Sequence, residues 1–153
     1  DTELWLEFRR VLFRSSVLLR QKIMVALDGQ EISNNERSRN FLLFLPEGEH
    51  HELGLLFGNY MIRSAGHRSL YLGPNLPLRD LENINVKFKP EYILISMTTA
   101  MTEETPEEYV EQVRNKFPGA TVLLTGRVFL DPERQYPQEV FTIRRPDDFR
   151  RFI

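Results

Sequence analysis

The chain has 153 residues, 41% hydrophobic and 27% charged, with 20 basic against 22 acidic side chains for a net charge of −2. That composition suits one globular domain with a real core, argues against global disorder, and offers no basic field for nucleic acid. The sequence has no cysteine, which excludes disulfides and thiolate metal sites. No apolar run approaches the ~20 residues that span a bilayer, and no signal peptide is visible, so the chain reads as soluble and cytoplasmic, with no membrane partner.

Residues 1–15 stand apart. The run Leu6-Glu7-Phe8-Arg9-Arg10-Val11-Leu12-Phe13-Arg14-Ser15 looks like the translation of a sequencing adapter, and is expected to be an artefact. On that expectation the natural sequence begins near Ser16 and its N-terminal part is missing. Residues 16–29, rich in strong helix formers with apolar side chains on most sides, predict a helix packed between other helices. Asp28-Gly29 ends it, and the polar residues 30–40 form a linker. The domain proper is expected over residues 41–153.

From Phe41 the pattern alternates. Phe41 to Leu45 is a short apolar run stopped by Pro46, as expected of a strand buried on both faces of a parallel sheet. His51 to Ala65 carries Leu53, Leu56, Phe57, Tyr60 and Met61 at helical spacing and stops at Gly66. Ser69 to Leu72 predicts a second strand and Leu78 to Phe88 a second helix. Tyr92 to Ser96 is the third strand, Pro106 to Phe117 the third helix, and Ala120 to Thr125 the fourth strand. Val140 to Ile143 predicts an edge strand, and Pro146 to Phe152 a short closing helix. This alternation implies right-handed βαβ units and a doubly wound, parallel, five-stranded α/β sheet of flavodoxin-like size.

Ligands of such folds bind at the carboxyl rim of the sheet, and the small polar clusters fall there. Glu49 and His51 lie in the first strand-to-helix loop. A carboxylate two residues from an imidazole can hold one ring nitrogen while the other binds a metal. Taken alone, Glu-x-His more often marks a solvated loop histidine. His50 reads as a solvated neighbour, and His67, after the Gly66 turn, as a surface residue. With three histidines and no cysteine, one His serving a metal that brings its own equatorial ligands is more plausible than a protein-only cage. Ser96 and Thr98, two apart at a strand end, can point to one face, or can merely satisfy backbone groups there.

The joint spacing is more specific. Glu49-x-His51-x-x-Gly54, then after 41 residues Ser96-x-Thr98, then after 27 more Gly126, resembles the cobalamin-binding signature of corrinoid proteins. The resemblance covers roughly residues 41–153. It implies that His51 replaces the cofactor's own base as lower ligand to cobalt, that Glu49 supports it, and that Gly54 leaves room for the corrin or its nucleotide tail. Ser96 and Thr98 are then expected to line the tail pocket. Where the family has a second Gly after Gly126, this chain has Arg127, which either narrows the pocket or pairs with the tail phosphate.

A finer resemblance rests on the run Pro46 to Phe57 and on Tyr71-Leu72-Gly73-Pro74-Asn75-Leu76-Pro77, which bring Tyr71 and Gly73 into the candidate site. Both runs look like the C-terminal sensor of MerR-type cobalamin-dependent transcriptional regulators, which include light-sensing repressors. Leu19 to Ile23 then looks like the end of the preceding helical bundle. The resemblance implies adenosylcobalamin as cofactor, a homo-oligomer in the full-length protein, and DNA contact only through a missing N-terminal domain. The family's bundle residues that cap the upper face of the cofactor are not found here in their context. Two alternatives stay open: a corrinoid-carrying module of a methyltransferase or mutase system, and a degenerate domain acting only in protein interaction. Neither a Ser-His-Asp arrangement nor a Gly-rich phosphate loop points to an independent enzyme.

Overall fold

The computed structural model describes residues 22–26, 29, 36–82, 84 and 88–153. The adapter-like segment and most of the expected first helix and linker lie outside them. Among the described residues no helix is long and apolar enough to cross a membrane.

Strand β1 (Asn40–Pro46) leads through a loop to helix α1 (Leu53–Ser64), then β2 (Arg68–Leu76), a 3-10 turn at Leu78–Leu81, and β3 (Tyr92–Ser96). Helix α2 (Pro106–Lys116), β4 (Thr121–Thr125), β5 (Val140–Thr142) and helix α3 (Pro146–Arg150) complete the chain. The sheet has the order β2-β1-β3-β4-β5, and every adjacent pair is parallel. This is the flavodoxin-like order, whose connections reverse direction between β1 and β3 and leave a crevice there.

β1 is buried along Phe41–Pro46 because it lies central between two helical layers. Its pleat sends Phe41, Leu43 and Leu45 into one core with Leu55, Leu56 and Ile62 of α1 and Phe149 of α3. Leu42 and Phe44 enter the other, with Val110 and Val113 of α2, Phe117 and Phe129. Ile23, in the helical residues 22–26, joins the first core. Helix α2 starts at a capping box: Thr105 Oγ1 accepts from the Glu108 N–H at 3.2 Å, and Glu108 Oε2 accepts from the Thr105 N–H at 2.8 Å.

Two expectations are revised. The second strand runs to Leu76 rather than Leu72, through Gly73 and Pro74, because an edge strand tolerates a missing donor and its register with β1 is irregular after Leu43. Of the helix expected over Leu78 to Phe88, the described part opens as the 3-10 turn, and residues 83 and 85–87 lie outside the described residues.

Candidate functional site

The carboxyl ends of β1, β3 and β4 meet at one rim, and Glu49 ties the loop after β1 to the residues that follow β3. Its loop is shaped by a turn, with the Glu49 N–H donating to the Pro46 carbonyl at 3.0 Å and Gly48 at φ +87°. Asn75, itself at φ +54°, pins this loop to the end of β2: its Oδ1 accepts from the Gly48 N–H at 2.9 Å, and its own N–H donates to the Glu49 carbonyl at 3.0 Å. Asn tolerates that left-handed backbone better than most residues.

The Glu49 side chain is directed inward and is 2% exposed. Its Oε2 accepts from the N–H groups of Thr98 and Thr99 at 3.1 and 2.8 Å. Its Oε1 accepts from the Thr98 hydroxyl at 2.8 Å, the His51 N–H at 3.3 Å and the His51 ring at Nδ1, 3.0 Å away. Burial pushes the carboxyl's pKa up, but the bonds from Thr99, Thr98 and His51 outweigh it and hold the group below its ordinary value. A carboxylate only accepts, so Nδ1 carries the proton and the Nε2 lone pair is left free. The His51 ring is 73% exposed.

His51 stands at the mouth of a cleft of about 750 Å³ that runs down one face of the sheet between α1 and α3. Gly54, Phe57, Gly58 and Met61 of α1 form one wall, Leu94 and Ser96 of β3 and Thr125 of β4 the floor, and Ile143 and Phe149 the far wall. A Cβ on Gly54 would meet no protein atom within 4 Å, so that glycine leaves open cleft. One on Gly58 would meet the Leu94 side chain at 2.6 Å. At the mouth stand Arg127, Arg144 and Arg145. Arg127 Nε donates to the Thr98 carbonyl at 2.9 Å, and Arg144 donates to the Leu130 carbonyl at 2.9 Å.

Of the residues singled out in sequence, His51, Gly54, Ser96, Thr98, Gly126 and Arg127 line this cleft, and Glu49 lies directly behind His51. Gly126 has a packing reason of its own: at φ +90° it sits so close to Met97 that a Cβ would come within 2.5 Å of the Met97 carbonyl oxygen. Tyr71 and Gly73 do not line the cleft. The Tyr71 hydroxyl donates to Glu52 Oε2 at 2.7 Å, supporting the loop from β2, and Gly73 is buried at φ +82° beside Tyr71. His50 is exposed, as expected, and it too lines the cleft. His67 is not the surface residue expected: it is half-buried, its Nδ1 accepts from the Arg39 N–H at 3.1 Å, and its Nε2 bonds the Ile153 main-chain oxygen at 3.0 Å.

Sequence reasoning missed Gly58, Ile143, Phe149, Arg144 and Arg145. Gly58 had a signal, four residues after Gly54 on one helix face; the others come from the far end of the chain and gave none.

No family model matches the chain. In sequence it is similar to the HTH-type transcriptional repressor CarA of Myxococcus xanthus, 30% identical over 95 residues. That match takes in 62% of this chain and 31% of the repressor, so the chain spans under a third of that relative's length. In structure it is similar to a cobalamin-binding protein from Desulfitobacterium hafniense, with a TM-score of 0.52 at 18% identity, covering 60% of this chain and 45% of that one. One relative is named for repression and the other for binding, neither for catalysis. The five-stranded parallel sheet of this chain is thus the fold of a cobalamin-binding protein, and its sequence is similar to that of a transcriptional repressor.

Proposed function

We propose that this chain is the cobalamin-binding sensor domain of a transcriptional regulator, that His51 is its lower ligand to cobalt, and that it catalyses nothing itself. The observation that carries the reading is the Glu49–His51 pair: a buried carboxylate holds Nδ1 at 3.0 Å and leaves Nε2 free on an exposed ring at the mouth of a deep cleft. The residues present fit a corrinoid. One imidazole, that of His51, is held with a ring nitrogen free, as suits a metal that carries its own equatorial ligands, and the cradle beside Gly54 is open.

When bound, the cofactor supplies a cobalt–carbon bond that light can break, and adenosylcobalamin is the form we favour. The protein's part is positional. Glu49 fixes the tautomer and direction of His51, and Thr98 braces both. Gly54 keeps the α1 wall low, and the apolar side chains of Phe57, Met61, Leu94, Ile143 and Phe149 would hold the base of the nucleotide tail. Ser96 and Thr98 would offer hydroxyls there, and Arg127, anchored through Nε, would hold the tail phosphate with its remaining N–H groups. Tyr71 and Gly73 act from behind, through Glu52 and the β2 backbone. In the full-length protein, DNA is contacted by a separate N-terminal domain, and the regulator is a cytoplasmic homo-oligomer.

Gel filtration in the dark, after incubation with adenosylcobalamin or hydroxocobalamin, tests this directly. Stoichiometric co-elution of either corrinoid with the chain is expected, and no retained corrinoid with either form would overturn the proposal.

A further inference from the structure

The cleft beside His51 changes character with depth. His51, Arg127, Arg144 and Arg145 at its mouth are exposed, whereas Phe57, Met61, Leu94, Ile143 and Phe149 are each at most 9% exposed. The main chain of the floor has few groups to spare. β3 and β4 are paired along their length, and the Ile143 N–H donates to the Leu124 carbonyl at 2.7 Å. The Ile143 carbonyl accepts from the Thr125 hydroxyl at 3.0 Å, which uses the Thr125 proton. Ser96, 4% exposed, carries the other hydroxyl of the floor, enough for a single ring nitrogen.

A guest with several hydrogen-bonding atoms at its inner end would leave most of them unpaired here, each losing the bonds that water gave it. We infer that this cleft selects corrinoids by their lower base, taking a dimethylbenzimidazole tail and disfavouring an adenine one. The inference deepens the cobalamin reading and rests on it. The two bases are flat bicyclic rings of similar size, so shape alone does not separate them. Adenine has an exocyclic amine and two nitrogens in its six-membered ring, where dimethylbenzimidazole has carbon and two methyl groups. Hydrocarbon at that end suits Met61, Ile143 and Phe149; nitrogen there is left without partners.

The test is isothermal titration of the full chain in the dark with the hydroxo forms of cobalamin, its adenine-tailed analogue and cobinamide, which lacks the tail. Cobalamin is expected to bind about tenfold tighter than the adenine analogue, or more. Adenine is the weaker ligand to cobalt in the free corrinoid and is displaced more easily, so a preference for cobalamin comes from the cleft. Met61→Gln, which brings an amide to the floor, should cut that preference about threefold or more, and Met61→Leu should keep it. Ile143→Thr makes the corresponding change in the far wall if Met61→Gln does not fold. Equal or tighter binding of the adenine analogue would overturn the inference while leaving corrinoid binding in place, as would a preference that neither polar variant alters. Cobalamin binding no tighter than cobinamide would overturn it as well, since the tail would then gain nothing from the cleft. No binding of any of the three would remove the cobalamin reading and the inference with it.

Discussion

Glu49 and His51 are bonded at 3.0 Å, yet the carboxylate side chain is 2% exposed and the imidazole 73%. The pair joins the interior of the domain to its surface. A buried anion, compensated by backbone N–H groups across the β1/β3 crevice, aims the ring. The consequence is that the loop's stability and the ligand's direction depend on the same carboxylate.

Glu49→Gln should therefore damage both. The amide keeps the shape, but its NH2 faces donors at Thr98 and Thr99, and a charge-assisted interaction is lost. We expect a loss of about 2 kcal/mol in urea denaturation, with corrinoid affinity weakened about 10- to 100-fold in an absorbance titration.

The two glycines at the rim should part company. Gly126→Ala places a Cβ against Met97 on a backbone that L residues avoid, and should cost about 2–3 kcal/mol by thermal or urea denaturation. Gly54→Ala sits in a helix facing open cleft, and should raise stability by up to about 0.5 kcal/mol while lowering corrinoid affinity. A more stable protein that binds worse is the expected signature of a glycine kept for the ligand.

Arg127→Ala distinguishes a residue that narrows the pocket from one that pairs with phosphate. Loss of a charge-assisted contact should weaken cobalamin binding about tenfold and leave binding of cobinamide, which lacks the nucleotide tail, unchanged. Tighter binding of both would show instead that the side chain obstructs.

The phenols of Tyr109 and Tyr136 should titrate late. Burial, with help from Glu107, pushes Tyr136 up to about 12, and Tyr109 is raised further by burial and Glu104. Because both folded values lie above the unfolded value of about 10, their contribution to stability is complete below pH ~10 and is lost as pH rises through the folded values. Absorbance at the tyrosinate band should show a step near pH 12 that Tyr136→Phe removes.

Much of this fold was legible because parallel strands buried on both faces leave continuous apolar runs, as Phe41–Leu45 and Tyr92–Ser96 do. β2 was legible only to Leu72, since its outer half carries Gly73 and Pro74, which read as a turn in sequence and sit at an edge in space. Of the site, the residues that project from strand ends were legible by spacing. Asn75, which fixes the Glu49 loop, and Ile143 and Phe149, which close the cleft, were not: their roles depend on strand order and on contacts between distant parts of the chain. His67 was misjudged for the same reason, its partners being Arg39 and Ile153.

The central claim, that His51 binds cobalt, is tested most directly by the visible spectrum of the chain titrated with hydroxocobalamin in the dark, wild type against His51→Ala. A spectrum of corrinoid with its own base displaced and histidine bound, lost in the variant, is the predicted result. An identical spectrum from both proteins would contradict the account.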